Sequence, residues 1–394
     1  MSTKGKTESR TQKKWIARLV LLVLAAAAFG WLLFFANKDK PCYTTTESTG
    51  IEYEVARVTA VIEDNTTVDE TTENVLRGEM ELEVEVLTGR YAGEKVKVTN
   101  YFSALYNVNV EAGDKVSVRI DTVGENQYQV SIYNYYRVPK ILGVVGVFVL
   151  LLILIGGKKG AKSALGLIFT MVCIIFILLP LSLKGFSALA VTLGIILICN
   201  FITFFLVDGI STKTVVASVG SMAGVLCGTL FAAIAAVVMD VTTFQMDEAE
   251  SLLLISSGTA LKIQDLFICG ILIACMGAVM DVSMSITSSI AELHEVNPEL
   301  GKTQLFRSGM NIGRDAMGTM SNTLILAFAG ESLNMMLMIY SYGVTFQQLM
   351  NTDFVAIEVI RSIAGSIGIV CTVPLVAIIA AEVYGKKSKR MERK

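Results

Sequence analysis

Gly277-Ala278-Val279-Met280-Asp281-Val282-Ser283-Met284-Ser285-Ile286-Thr287-Ser288-Ser289-Ile290-Ala291-Glu292 decides how this chain is read. It extends an apolar run of membrane-spanning length that begins near residue 265, and it carries a carboxylate into that run. On a helix, Asp281, Ser285, Ser288 and Glu292 step by four, three and four, which aligns two carboxylates and two hydroxyls on one face. Asn311, Asp315, Gly318 and Asn322 repeat the same step in the next apolar run, with Arg314 beside Asp315. Two such stripes on consecutive spans most simply face each other. An ionisable group at that depth is costly unless paired or hydrated, so it marks a functional site by default.

Composition agrees with a membrane protein. Of 394 residues, 53% are hydrophobic and 17% charged, and the mean hydropathy is +0.60, too apolar for a soluble domain of this length. Trp15–Ala36 has about the ~20 apolar residues that a bilayer core requires. It follows Lys4, Lys6, Arg10, Lys13 and Lys14, a stretch that should stay cytoplasmic. The run is longer than the apolar part of a cleavable signal peptide and no small-x-small site follows it, so it is read as a retained anchor.

Residues 41–137 are polar and acidic. They hold 17 acidic and 8 basic residues, a local charge of −9, hidden within a whole-chain charge of −2. Without a Lys/Arg cluster this segment excludes nucleic acid and docking on anionic lipid. Five runs near 52–58, 81–87, 95–98, 115–120 and 128–132 alternate polar and apolar residues, broken by Thr88-Gly89, Ala92-Gly93 and Gly113-Asp114. Period two with turn signals predicts a small antiparallel barrel or sandwich, OB-like in size. Tyr101, Phe102, Tyr106, Tyr133, Tyr135 and Tyr136 support two readings, a ligand platform or an aromatic belt at the membrane surface.

Charge bookkeeping orders the remainder. Val138–Ile155 leads to a basic turn, Gly156–Lys162, and spans near 163–181, 186–206, 214–239, 265–290, 312–330 and 355–384 follow. Lys213, Lys302, Arg307, Arg314 and the tail from Lys386 fall on one side; Asp240, Asp247, Glu248 and Glu250 fall on the other. The predicted fold is a polytopic α-helical membrane protein of about eight spans with an inserted extracellular all-β domain. In domains, it reads as a basic cytoplasmic tail (1–14), an anchor (15–36), the acidic β domain (45–137), a multi-span domain (138–384) and a basic cytoplasmic tail (385–394). Stretches 252–261 and 333–340 are too short to cross and are expected to be re-entrant or interfacial.

Gly220, Gly224 and Gly228 form a doubled G-x-x-x-G, which predicts close helix packing; Gly270, Ala274 and Ala278 repeat the small-residue spacing. Seven Cys lie at no metal-like spacing, and there is one His (His294). No metal and no cofactor are expected. Met335, Met336 and Met338 are read as packing residues rather than copper ligands.

The segments Gly277–Ser283 with Ser288, Glu292 and Asn297-Pro298, then Gly313–Leu324, resemble those of the YibE/F-like family of bacterial integral membrane proteins. The resemblance runs from about Val55 onward and is most specific around 265–330. It implies an anchor, an extracellular β module and a multi-span domain, carried here on one chain where some relatives are split. It implies no settled activity.

Three function classes follow from the residues. A transporter or channel for a small ion or polar solute would use Asp281, Ser285, Ser288, Glu292, Asn311, Arg314, Asp315 and Asn322 as its pathway, although no inverted repeat is visible. A receptor or assembly partner would place specificity in the β domain, with a ligand or protein as its partner. An intramembrane aspartyl protease would pair Asp281 with Asp315, but the G-x-G-D motif of that chemistry is absent, and the chain is read as no enzyme. The lipid bilayer is the one partner common to all of them. With the expected topology, a membrane-impermeant thiol reagent should label Cys42 in intact cells, while a cysteine placed at Ser388 should react only after the membrane is opened.

Overall fold

The computed structural model describes residues 27–39, 50–72, 74–122, 128–242, 244, 246, 249–263 and 266–391. Most of the expected anchor lies outside them; its end forms a short helix, α1 (Ala27–Asn37). The chain divides into two compact units, Thr44–Leu152 and the combination of Met1–Tyr43 with Ile153–Lys394.

In the smaller unit, β1 (Ile51–Asp64), β2 (Thr67–Asp69), β3 (Val75–Val86), β4 (Lys95–Phe102), β5 (Lys115–Thr122) and β6 (Tyr128–Tyr135) form one antiparallel sheet. Its order is β2-β3-β1-β5-β6, with β4 on the far half of β3. The alternation seen in the sequence places every second residue inside: Met80, Leu82, Val84 and Val86 of β3 meet Ala56 and Val58 of β1 and Val116, Val118 and Ile120 of β5. Register shifts in β1 after Val58 and Val61 bend the sheet, so that it wraps around this core as a half-barrel. Gly78 holds φ +111° inside β3, where a Cβ would strike the Asn65 carbonyl oxygen. Five of the strands were predicted from period two; β2, three residues long, was not.

α2 (Val138–Cys173) begins in the smaller unit and runs into the larger one, and it contains the first post-β span, the expected basic turn and the start of the second span. A kink at Gly157 divides α2 into two helices, so the break falls within the expected turn. Only Gly157 leaves helical geometry (φ 56°, ψ −136°), because Lys158 through Lys162 are compatible with a helix and glycine alone takes positive φ cheaply. A π-helical turn (Ile174–Leu178) and α3 (Leu179–Leu183) follow. Pro180 has no N–H to give to the Phe176 carbonyl four residues back. Asn37 Nδ2 of α1 donates to that carbonyl at 2.8 Å instead. Lys184 Nζ reaches the Phe35 and Lys38 carbonyls at 2.6 and 2.5 Å, satisfying the otherwise open C-terminal end of α1.

α4 (Ala188–Asp208) and α5 (Thr212–Val238) start on Ser187 and Ser211, whose hydroxyls accept from Ala190 N and Thr214 N. α6 (Ala249–Gly258) is short; α7 (Leu266–Val296) and α8 (Lys302–Glu331) are long, and α9 (Leu333–Ser341) continues α8 after a 57° bend. α10 (Phe346–Met350) precedes α11 (Asp353–Met391), the central helix, which packs on α5, α7 and α8. Among the described residues, five helices are long and apolar enough to cross a membrane, six if α8 and α9 count as one. The difference from about eight comes from three places: the merged α2, the bend at α8–α9, and the anchor, of which only α1 is described.

Gly220, Gly224 and Gly228 of α5 lie directly against α11, facing Val376, Thr372 and the backbone of Gly368 and Ala364. A Cβ at Gly224 would collide with Thr372 Oγ1, whereas one at Gly270 of α7 would meet nothing within 4 Å. Gly224→Ala should therefore lower stability by about 1–3 kcal/mol, as overpacking does, while Gly270→Ala leaves it unchanged or slightly raised. Thermal unfolding in detergent reads both. The β unit buries its own core, so excised residues 45–137 should show a β-type circular dichroism spectrum and a cooperative melt.

Candidate functional site

The polar stripes lie on the two helices as the spacing requires, but their orientation differs from expectation. α8 meets its neighbours through small residues: Gly309 lies against Ile290 and Ala377, Gly313 against Ile286 and Val373, while Leu324 lies against Gly365 of α11. These contacts run α7 and α8 antiparallel with aliphatic side chains between them. The α8 stripe sits opposite this seam. Asn311, Arg314, Asp315, Gly318 and Asn322 are all exposed on the outside of the helical unit. On α7 the buried face is Val279, Val282, Ile286 and Ile290, so Asp281, Ser285 and Glu292 are exposed and Ser288 half-buried.

The stripes thus point away from the α7–α8 seam and do not face each other across it. Arg314 Nη1 donates to Asn311 Oδ1 at a long 3.5 Å. Among the described residues no ion pair engages Asp281, Glu292, Arg314 or Asp315. The rest of the α7 outer face is small: Gly270, Ala274 and Gly277 are exposed in line with Asp281.

Two further polar groupings were not singled out in the sequence. Inside the bundle, Asn200 of α4 donates to Ser221 of α5, and on α7 Ser283 and Thr287 are fully buried with hydroxyls lacking partners among the described residues. The signal was present, since Ser283 and Thr287 stand four apart on the inward side of α7, but the neighbouring carboxylate stripe masked it. The second grouping is Glu358–Arg361 near the start of α11, paired at 2.7 Å with the guanidinium 5.9 Å from the centre of the Phe328 ring. It lines a pocket of about 430 Å³ at the α8–α9 bend, together with Glu331, Ser332 and Asn334. An (i, i+3) charge pair in a span-length apolar helix could have been found by the rule that flagged Asp281.

His294, the one histidine, is buried with its ring 5.8 Å from that of Tyr384, which gives it a packing role. In the β unit the aromatic set divides. Phe102 is in the core and the Tyr135 hydroxyl accepts from Asn109 N at 2.8 Å, while Tyr101, Tyr106 and Tyr133 are exposed, Tyr133 edge-on to Tyr53 at 4.8 Å. No group of three or more His, Cys, Asp or Glu converges as a metal site among the described residues.

A half-barrel of antiparallel strands followed by five or six helices long and apolar enough to cross a membrane, among the described residues, defines a multi-pass membrane protein with a β module. The family comparison sharpens this. A model described as YibE/F-like protein matches residues 144–386, and one described as the YibE/F family N-terminal domain matches 50–135. The chain belongs to the YibE/F-like family. No curated protein and no solved structure matches it.

Proposed function

We propose that this protein is a transporter or channel for a small ion or polar solute, and that the outer α7–α8 face is its pathway. The observation that carries this reading is that, among the described residues, no ion pair engages Asp281 of α7, which is of span length, or Arg314 and Asp315 of α8, which passes as a span together with α9. Each charge at the bilayer centre costs at least about 2.5 kcal/mol, whereas interhelical polar contacts return only about 0.6–2. Structural glue would use Ser, Thr or Asn more cheaply. Lipid-facing surfaces are built from large apolar side chains, and this face is built from glycine, alanine, serine and charge. A hydrated path on it needs a cover. A second copy of the same face is the simplest one, since Asp281, Glu292 and Asp315 offer carboxylates to the partner copy's Arg314.

In this reading the multi-pass domain sits in the cell membrane with both termini cytoplasmic and the β domain outside. The receptor alternative draws on the exposed Tyr53, Tyr101, Tyr106 and Tyr133, which give the β domain a polar-tipped aromatic surface of the kind that binds ligands or proteins.

Reconstituted protein tests the pathway. Liposomes bearing the full chain should admit one class among monovalent cations, anions and small neutral solutes, and the flux-competent particle should contain at least two copies by light scattering. Asp281→Asn and Asp315→Asn should each lower the flux at least about tenfold, equivalent to losing about 1.4 kcal/mol of stabilisation, with the thermal midpoint nearly unchanged. Arg314→Lys should also be damaging if the planar guanidinium pairs bidentately. Asn variants that unfold the protein yet keep the flux per folded molecule would reduce the stripes to packing elements and sink the reading.

A further inference from the structure

The bend between α8 and α9 and the first turns of α11 enclose the 430 Å³ pocket, which lies apart from the α7–α8 stripes. Its charged walls are Glu331, at the end of α8, and the Glu358–Arg361 pair. Glu358 Oε1 takes the Arg361 hydrogen bond; Oε2 is buried and has no partner among the described residues. A buried carboxylate oxygen left without a donor is expensive, so this wall is complementary to a group that donates. Two carboxylates against one guanidinium also leave one negative charge uncompensated.

The volume falls in the roughly 300–1,000 Å³ range of small-molecule sites, and a bare monovalent ion would fill little of it. Met246, Met335 and Met338 line the remainder. Flexible thioethers adapt to an irregular apolar body. The α8 outer face leads here as well: from Asn322, steps of three and four reach Ile325 and Ala329, which line an adjoining cavity of about 310 Å³ that shares Ser332, Phe354 and Glu358 with the first.

We propose that this pocket binds a small organic monocation with N–H donors, of the primary alkylammonium class. One ammonium N–H bonds the Glu358 carboxylate, whose closed-off Oε2 turns into the pocket to meet it, another is shared with Glu331, and the alkyl body rests on Met335 and Met338, while Arg361 stays with Glu358 Oε1. The proposal goes beyond the transport reading and does not need it, because binding is measured at equilibrium in the absence of flux.

The test titrates the purified full-length protein in detergent at neutral pH with n-butylammonium, tetramethylammonium, sodium and leucine, followed by calorimetry. n-Butylammonium should bind saturably. Tetramethylammonium, equal in charge but without N–H, should bind about tenfold or more weakly, the value of a charge-assisted hydrogen bond, and sodium and leucine should not compete. Glu358→Gln should weaken n-butylammonium by about tenfold or more. Because that variant orphans Arg361 and can unfold, exposed Glu331→Gln is the second probe, expected to fold normally and to weaken binding about threefold or more. Absence of n-butylammonium binding by folded protein overturns the proposal. So does equal binding of tetramethylammonium, tighter binding of zwitterionic leucine, or unchanged affinity in folded Glu331→Gln. Binding that persists in protein without flux leaves this site standing and removes the transport reading; flux without binding does the reverse.

Discussion

The close approach of α5 to α11 is the contact on which the helical unit depends. Gly220, Gly224 and Gly228 present bare backbone to Gly368, Thr372 and Val376, and three successive turns are in contact with no side chain of α5 between them. In a bilayer, helix association has no water-driven hydrophobic term, so such packing contributes much of what holds helices together. α11 meets its other neighbours by similar means: Gly365 receives Leu324 of α8, and Gly309 and Gly313 of α8 receive Ala377 and Val373. With α11 at the centre, the sides of α7 and α8 that carry aliphatic residues are committed inward. Their polar residues are left on the outside.

This division explains an arrangement that is otherwise costly. The α7–α8 seam is closed by Ile286 against Gly313 and Ile290 against Gly309, so no polar pair is available to bind the two helices to each other. Polar chemistry is distributed over three places: the outer stripes, the interior hydroxyls of Ser283 and Thr287, and the pocket at the α8–α9 bend. Only the last combines enclosed volume with opposite charges. The stripes lie on a surface, and neither of the two adjoining cavities is lined by Ser283 or Thr287, which is why ligand chemistry is most concrete at Glu358 and Glu331.

The sequence was legible where a short-range period decides structure. Alternation at period two located β1, β3, β4, β5 and β6, and hydropathy located the long helices. β2 was lost because three residues cannot show a period, while the break expected at Gly156–Lys162 is made by a single glycine, Gly157, with helix resuming at once after it. Asp281, Ser285, Ser288 and Glu292 were placed on one face correctly in register; the direction of that face was not. Direction depends on which residues of α8 admit a neighbour, and Gly309 and Gly313, four apart and opposite Asn311 and Asp315, carried that information.

The bond between Asn37 and the Phe176 carbonyl joins residues 139 positions apart, with the whole β unit between them. A ribosome delivers α1 long before Phe176, and the oxygen that Pro180 leaves open does not yet exist. While the β segment is made, the Asn37 amide has only the Leu33 carbonyl of its own helix, and the terminal carbonyls of α1 must be served by water, lipid headgroups or the insertion machinery. They are handed to the Phe176 carbonyl and to Lys184 only after the Pro180 helix has entered the membrane. α1 is therefore made early and completed late, so biogenesis of this protein includes a docking step that is separable in time from insertion.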